Sequence, residues 1–113
     1  MGDKFKIDEQ IISKTNDLES LADYQNASII SRTLVNKNNG SITLFAFDKG
    51  QELSEHTTPY DALVQVIDGQ GEIIIDGKSN YVETGSIILM PANIPHAVKA
   101  PKQFKMLLTM IKS

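Results

Sequence analysis

Cysteine is absent from these 113 residues, which excludes a disulfide framework and any thiol chemistry. No apolar run approaches the length of a membrane-spanning helix, so a membrane is not an expected partner. The opening MGDKFKIDEQ is charged and lacks the apolar centre of a secretory signal, which makes a cytoplasmic location the expectation. Eleven basic residues stand scattered against fourteen acidic ones, without a basic stripe, so nucleic acid is not an expected partner either. Internal repeats, low-complexity tracts and linkers are missing. Histidine is scarce: the chain has two, His56 and His96.

What is present fits one domain. Hydrophobic residues make up 41% of the chain, enough for a core, and a charged fraction of 22% argues against wholesale disorder. Residues 1–26 read as an N-terminal arm with a short helix or turn, and residues 27–113 as the main domain. In the arm, Phe5, Ile7, Ile11 and Ile12 show no clear period and fit an edge strand or an extended segment. Asn16 and Glu19 stand at capping-box spacing, with Leu18, Leu21 and Ala22 as one apolar stripe behind them.

From Ala27 onward the chain reads as strands. ASIISRTLV and SITLFAF are separated by the turn signal NKNNG. ALVQVIDG and GEIIID follow, with Gly69 and Gly71 marking a bend. Asp76-Gly77 has the residues of a two-residue hairpin turn, in which both central positions need positive φ. KSNYVE, SIILM, the loop PANIP, HAVKA and FKMLLTMI complete the series. Short strands with regular turn signals predict a closed or double-sheet all-β domain. In the last strand, period two puts Phe104, Met106, Leu108 and Met110 on one face, with Leu107 and Ile111 on the other. Both faces are apolar, so a core on one side and a partner or second layer on the other is expected. Met90, Met106 and Met110 read as core filling.

Two stretches carry a family likeness. GQELSEHTTPYDALVQVIDG, from Gly50 to Gly69, and GSIILMPANIPHAVKA, from Gly85 to Ala100, resemble the two motifs of the cupins. Gly50, His56 and Gly69 match the first; Gly85, Pro91 and His96 match the second. Asn93 stands where the family has glycine, a mild change because asparagine tolerates the left-handed region. Ala100 replaces the family's asparagine. The resemblance implies an all-β jelly-roll barrel, the RmlC-like double-stranded β-helix. It also implies a metal site of three histidines and one glutamate in the metal-binding members. Here His56 and His96 keep two of those positions, while Thr58 and Ala62 replace the other two.

If the family register holds, His56 and Thr58 share one strand face, Ala62, Val64 and Val66 another, and His96, Val98 and Ala100 a third, all turned to the barrel interior. The ligand pocket expected from this set is His56, Thr58, Ala62, Val64, His96 and Val98: two imidazoles, a hydroxyl and an apolar wall. Asp61 and Gln65 fall on the opposite parity and are discounted as substitute ligands. Two readings follow. One is a binding module that holds a small organic molecule, with His56 and His96 as hydrogen-bonding groups to an anionic or carbonyl-bearing ligand. The other is a metal-dependent oxygenase or isomerase in which His56 and His96 hold zinc, iron, nickel or manganese, completed by a carboxylate outside the motif. A metal-free enzyme with one histidine as general base belongs to the same class. Leu63, Ile67, Leu107 and Ile111 are spare apolar residues on outward faces, and they predict a homodimer.

Overall fold

The structure, a computed structural model, describes residues 6–112. Phe5 of the expected arm lies outside that range. Nine strands form among the described residues: β1 (Lys6–Ile7), β2 (Ile29–Lys37), β3 (Gly40–Phe47), β4 (Glu52–His56), β5 (Asp61–Ile75), β6 (Lys78–Glu83), β7 (Ile87–Met90), β8 (His96–Lys99) and β9 (Phe104–Ile111). Every pairing is antiparallel. The architecture is the expected all-β jelly roll.

One strand organises it. β5 is 15 residues long where the sequence suggests two strands separated by a bend. Its first part pairs with β7 on one side, from Ala62 to Gln65, and with β9 on the other, from Asp61 to Gly69. Its second half, from Gln70, pairs with β6 and β8. The strand therefore leaves one sheet and enters the other, with the bend at Gly69, where φ is +80°. A Cβ at Gly69 would collide with the Gln103 carbonyl oxygen, and a Cβ at Gly71 would lie 2.5 Å from the Phe104 ring. Glycine at both places lets the ladders continue around the fold-over. The hairpin from β5 to β6 turns on Asp76 (φ 51°) and Gly77 (φ 78°), the positive pair that the sequence indicates.

The main core fills the space between the sheets. Phe47, Val64, Val66, Ile73 and Phe104 are fully buried, and Met90 and Met106 lie with them. Phe47 and Phe104 stack at the folded end, with ring centroids 4.7 Å apart and planes at 10°. Such a pair adds about 0.5–1.5 kcal/mol beyond its buried area.

A second cluster lies on the outer face. Leu21 and Ala22 from the N-terminal segment cover Leu34, Leu44 and Ala46, with Ile67 and Leu107 packed against the group. This corrects part of the outward patch expected as a dimer surface: Ile67 and Leu107 are covered by the chain's own N-terminal segment. Polar contacts pin that segment. Arg32 Nε donates to Asp8 at 2.7 Å, holding that carboxyl below its usual range, and Arg32 also reaches the Leu21 carbonyl and Gln10. Lys105 is buried; its Nζ donates to the Glu19 carbonyl at 2.6 Å and lies over the Tyr24 ring. The Tyr24 hydroxyl donates to Asp68 at 2.5 Å.

The segment has two 3-10 turns, Glu9–Ile11 and Leu18–Leu21, the second where a short helix or turn was expected. The capping box is not formed. Asp17 occupies the N-cap without a side-chain bond, and the Asn16 amide donates to the Gln10 carbonyl instead. Lys6–Ile7 pairs with Val35 and Asn36 as an edge strand, one of the two forms the sequence allows.

Candidate functional site: a histidine pair at the barrel mouth

The end of the barrel opposite the Gly69 fold-over is framed by the end of β4, the segment from Thr57 to Asp61, the Asp76-Gly77 turn and the loop before β8. Three hydrogen bonds fix that loop. Asp61 accepts from the Ala92 amide at 2.9 Å, the Asn93 amide donates to the Thr58 carbonyl at 2.7 Å, and the Asp76 amide donates to the Pro95 carbonyl at 2.8 Å. Asn93 adopts φ 66°, the left-handed conformation that asparagine tolerates. Asp61 is thus a structural acceptor at the mouth.

The two histidines meet here. His56 on β4 and His96 on β8 are direct cross-strand partners. Their ring centroids are 4.4 Å apart and the planes cross at 67°, edge to face. His96 shares a face with Val98, which belongs to the core, and is itself 4% exposed. Leu53 also packs on the core, and strict alternation would put His56 on the opposite face from it. A bulge between Leu53 and His56 removes the conflict: Leu53 pairs with Val98, and His56 with His96. No glycine marks that bulge, so the sequence carries no local signal for it.

Each ring is held by the backbone two residues before it. His56 Nδ1 lies 2.8 Å from the Ser54 carbonyl oxygen, and His96 Nδ1 lies 3.3 Å from that of Ile94. Burial pushes the His96 pKa below the ordinary range; the Ile94 carbonyl opposes this, and the charge of His56 adds to it.

The other expected pocket residues take different places. Ala62, Val64 and Val98 are at most 2% exposed and sit inside the main cluster, so they form a filled wall where an open pocket was expected. The side chains of Phe47, Ile73, Phe104 and Met106 occupy the interior instead. His56 is exposed at the rim and is not enclosed in the barrel. Thr58 lies beyond the end of β4, so it does not share a strand face with His56. Its hydroxyl donates to the Tyr60 carbonyl at 3.1 Å, a local turn suited to a residue just before Pro59, which has no amide proton. Two surface clefts lie away from the histidines. One, of about 300 Å³, is lined by Gly69, Gln70, Glu83, Thr84 and Lys102; the other, of about 260 Å³, runs along Val35, Ile42, Met110 and Ile111.

The donor set decides how a metal fits. Among the described residues no group of three or more His, Cys, Asp or Glu side chains is placed to hold an ion. Catalytic zinc sites, for comparison, use three protein ligands. Two imidazoles do not make the three-histidine, one-glutamate site that the resemblance implies.

Comparison with known proteins adds the following. A family model described as Cupin domain matches residues 43–112. The chain is similar to a conserved protein of unknown function from Streptococcus pyogenes: 40% identity, TM-score 0.90, covering 95% of this chain and 94% of that one. It is 44% identical to a cupin 2 conserved barrel domain protein from Leptotrichia buccalis, with TM-score 0.81, over 83% of this chain and 46% of that chain. A cupin superfamily protein from Desulfitobacterium hafniense, 23% identical over 96% of this chain and 99% of that one, shares the fold with TM-score 0.88. No curated protein matches.

Proposed function

We propose that this protein, which belongs to the cupin family, is a binding module that holds a small organic molecule at the mouth of its barrel, against His56 and His96. One observation carries the reading: the only two histidines of the chain come from different strands and meet edge to face, 4.4 Å apart, at the mouth. A purely structural imidazole needs no second one beside it. The filled interior supports a ligand seated on the rim, and the hydrogen-bonded loop before His96 supports a site formed before the ligand arrives, which lowers the ordering cost of binding.

The incomplete donor set favours this reading over the metal-dependent oxygenase or isomerase. Two imidazoles and water hold a divalent ion weakly. The test is direct. Protein purified without chelator and without metal-affinity resin is analysed for metals, and small molecules released on denaturation are identified by mass spectrometry. Substoichiometric metal with a released organic molecule, lost in the His56→Phe variant, supports the module. One equivalent of zinc, iron, nickel or manganese per chain overturns it.

We also propose that the module works as a homodimer in the cytoplasm. Ile87, Leu89 and Ile111 stay exposed on the outer face, beside the part-buried Leu63 that pairs with Leu89. Large apolar residues left exposed together on one face favour a partner surface. No helix among the described residues is long and apolar enough to cross a membrane.

A further inference from the structure

The two imidazoles have a direction that follows from their hydrogen bonds. A backbone carbonyl only accepts, so a ring nitrogen bonded to one carries the proton. Ser54 and Ile94 therefore fix the proton of each neutral ring on Nδ1. The Nε2 of each ring is left with a lone pair and no proton. Neither Nε2 has a hydrogen-bond partner among the described residues. No buried side-chain nitrogen or oxygen there lacks a partner, so the Nε2 of the otherwise buried His96 is not sealed from solvent. The mouth thus presents two acceptors, on rings whose centroids are 4.4 Å apart, from two strands.

The charges around the pair point the same way. The segments that frame it carry Glu55, Asp61 and Asp76, with two cations beside them: Lys78 next to the Asp76-Gly77 turn and Lys112, whose ammonium lies 5.5 Å from the centre of the Tyr60 ring. The single arginine of the chain, Arg32, is engaged with Asp8, Gln10 and Leu21 beside the N-terminal segment. No guanidinium fork is available at the mouth for a carboxylate or phosphate.

We propose that the His56–His96 pair selects its ligand by two acceptor nitrogens. The ligand is then a neutral or cationic molecule with adjacent O–H or N–H donors, a polyol or an amine, and it is not a carboxylate or phosphate. The inference rests on the binding-module reading and narrows its ligand class. It replaces the anionic or carbonyl-bearing ligand expected from the sequence, because such a ligand needs donors and the two donor protons are spent on the backbone.

The experiment uses uniformly ¹⁵N-labelled full-length protein at neutral pH. Long-range ¹H–¹⁵N correlation spectra of the imidazoles report the tautomer and follow titration with D-ribose, 1,4-diaminobutane or succinate. Both rings are expected as Nδ1–H tautomers. At least one donor probe shifts both Nε2 resonances at concentrations tenfold or more below those at which succinate acts. His56→Phe keeps a ring beside His96 without the lone pair and weakens that response at least tenfold. A response to ribose alone assigns the polyol and a response to diaminobutane alone the amine; either supports the proposal. An Nε2–H tautomer at either ring, or tighter binding of succinate at the pair, overturns the donor class and leaves the module standing. No response at the pair to any of the three probes overturns the donor class, and the molecules released from the purified protein then decide the module separately.

Discussion

Gly71→Ala tests whether the folded end of the barrel is packed solid, which leaves the histidine end as the way in for a ligand. The backbone at Gly71 is not left-handed, so alanine fits its conformation. Taken alone, that change in a strand stabilises by roughly 0.5–1 kcal/mol through lost chain entropy. The new methyl would instead meet three Phe104 ring atoms at 2.5, 2.6 and 2.9 Å. Phe104 is fully buried and stacked on Phe47, so the ring cannot swing aside. Overpacking of this kind costs about 1–3 kcal/mol. The net expectation is a loss of about 1–2 kcal/mol, which lowers Tm by roughly 4–8 °C for a small domain. Phe104→Leu alone gives up the stack and part of the buried ring, about 2 kcal/mol by comparison with full truncation. It also clears the space the methyl needs. The double variant is then more stable than the sum of the single losses by about 1 kcal/mol or more. Urea unfolding followed by far-UV circular dichroism measures all four corners of the cycle. Additive losses, or a Gly71→Ala variant more stable than the parent, refute the argument.

Tyr24→Phe removes the hydroxyl that bonds Asp68 and lowers stability by about 1–2 kcal/mol, read from the urea midpoint, with the N-terminal segment becoming more open to proteolysis. Between pH 7.5 and about 5.5 the protein loses stability as pH falls: the unfolded His96 ring takes a proton near its ordinary 6.5, the buried ring resists, and the unfolded chain therefore binds more protons. His96→Gln flattens that dependence; an unchanged slope contradicts it. Thr58→His with Ala62→Glu supplies the two replaced ligand positions. It lowers Tm in chelator, because Ala62 is 2% exposed and a carboxylate there lacks a partner. Nickel raises the Tm of that variant by several degrees and that of the parent much less, by mass action on the folded form; a larger shift in the parent contradicts the two-imidazole reading. Ile87→Lys with Leu89→Lys turns a dimer seen by light scattering into a monomer with an unchanged circular dichroism spectrum; a monomeric parent sinks the dimer.

The strands most legible in the sequence are those with local signals at both ends. KSNYVE and FKMLLTMI coincide with β6 and β9, the first because Asp76-Gly77 sets its start, the second because one face, Phe104, Met106, Leu108 and Met110, is apolar at every second residue. Misreadings arise where a distant contact decides. Glycines 69 and 71 look like the end of one strand and the start of the next. They are instead what lets one strand pass between two sheets, since their missing side chains make room for Gln103 and Phe104. Near Asn16 the expected short helix or turn forms as the 3-10 turn Leu18–Leu21, and what it loses to its neighbours, for a similar reason, is the expected cap. Asn16 bonds back to Gln10, and the Arg32 guanidinium takes the Leu21 carbonyl, so the segment is shaped by the sheet beneath it more than by its own caps.

At the site, His96 was legible and the position of His56 was not. Alternation from Val98 is enough to turn His96 inward. His56 reaches the same face only through the bulge after Leu53, and that bulge has a chemical consequence. It pairs His56 directly with His96, while the Ser54 carbonyl, two residues back, holds the Nδ1 proton. The same i−2 contact recurs at His96 through Ile94, on a loop fixed by Asp61, Asp76 and Asn93. Two unrelated local structures thus impose one tautomer on both rings. A metal motif read by residue type alone counts two ligands lost. Read by hydrogen bonds, the same two histidines form a pair of oriented acceptors whose supporting shell is intact. Replacement of two ligands by Thr58 and Ala62 therefore does not make the mouth inert: the part that orients the imidazoles is the part that remains.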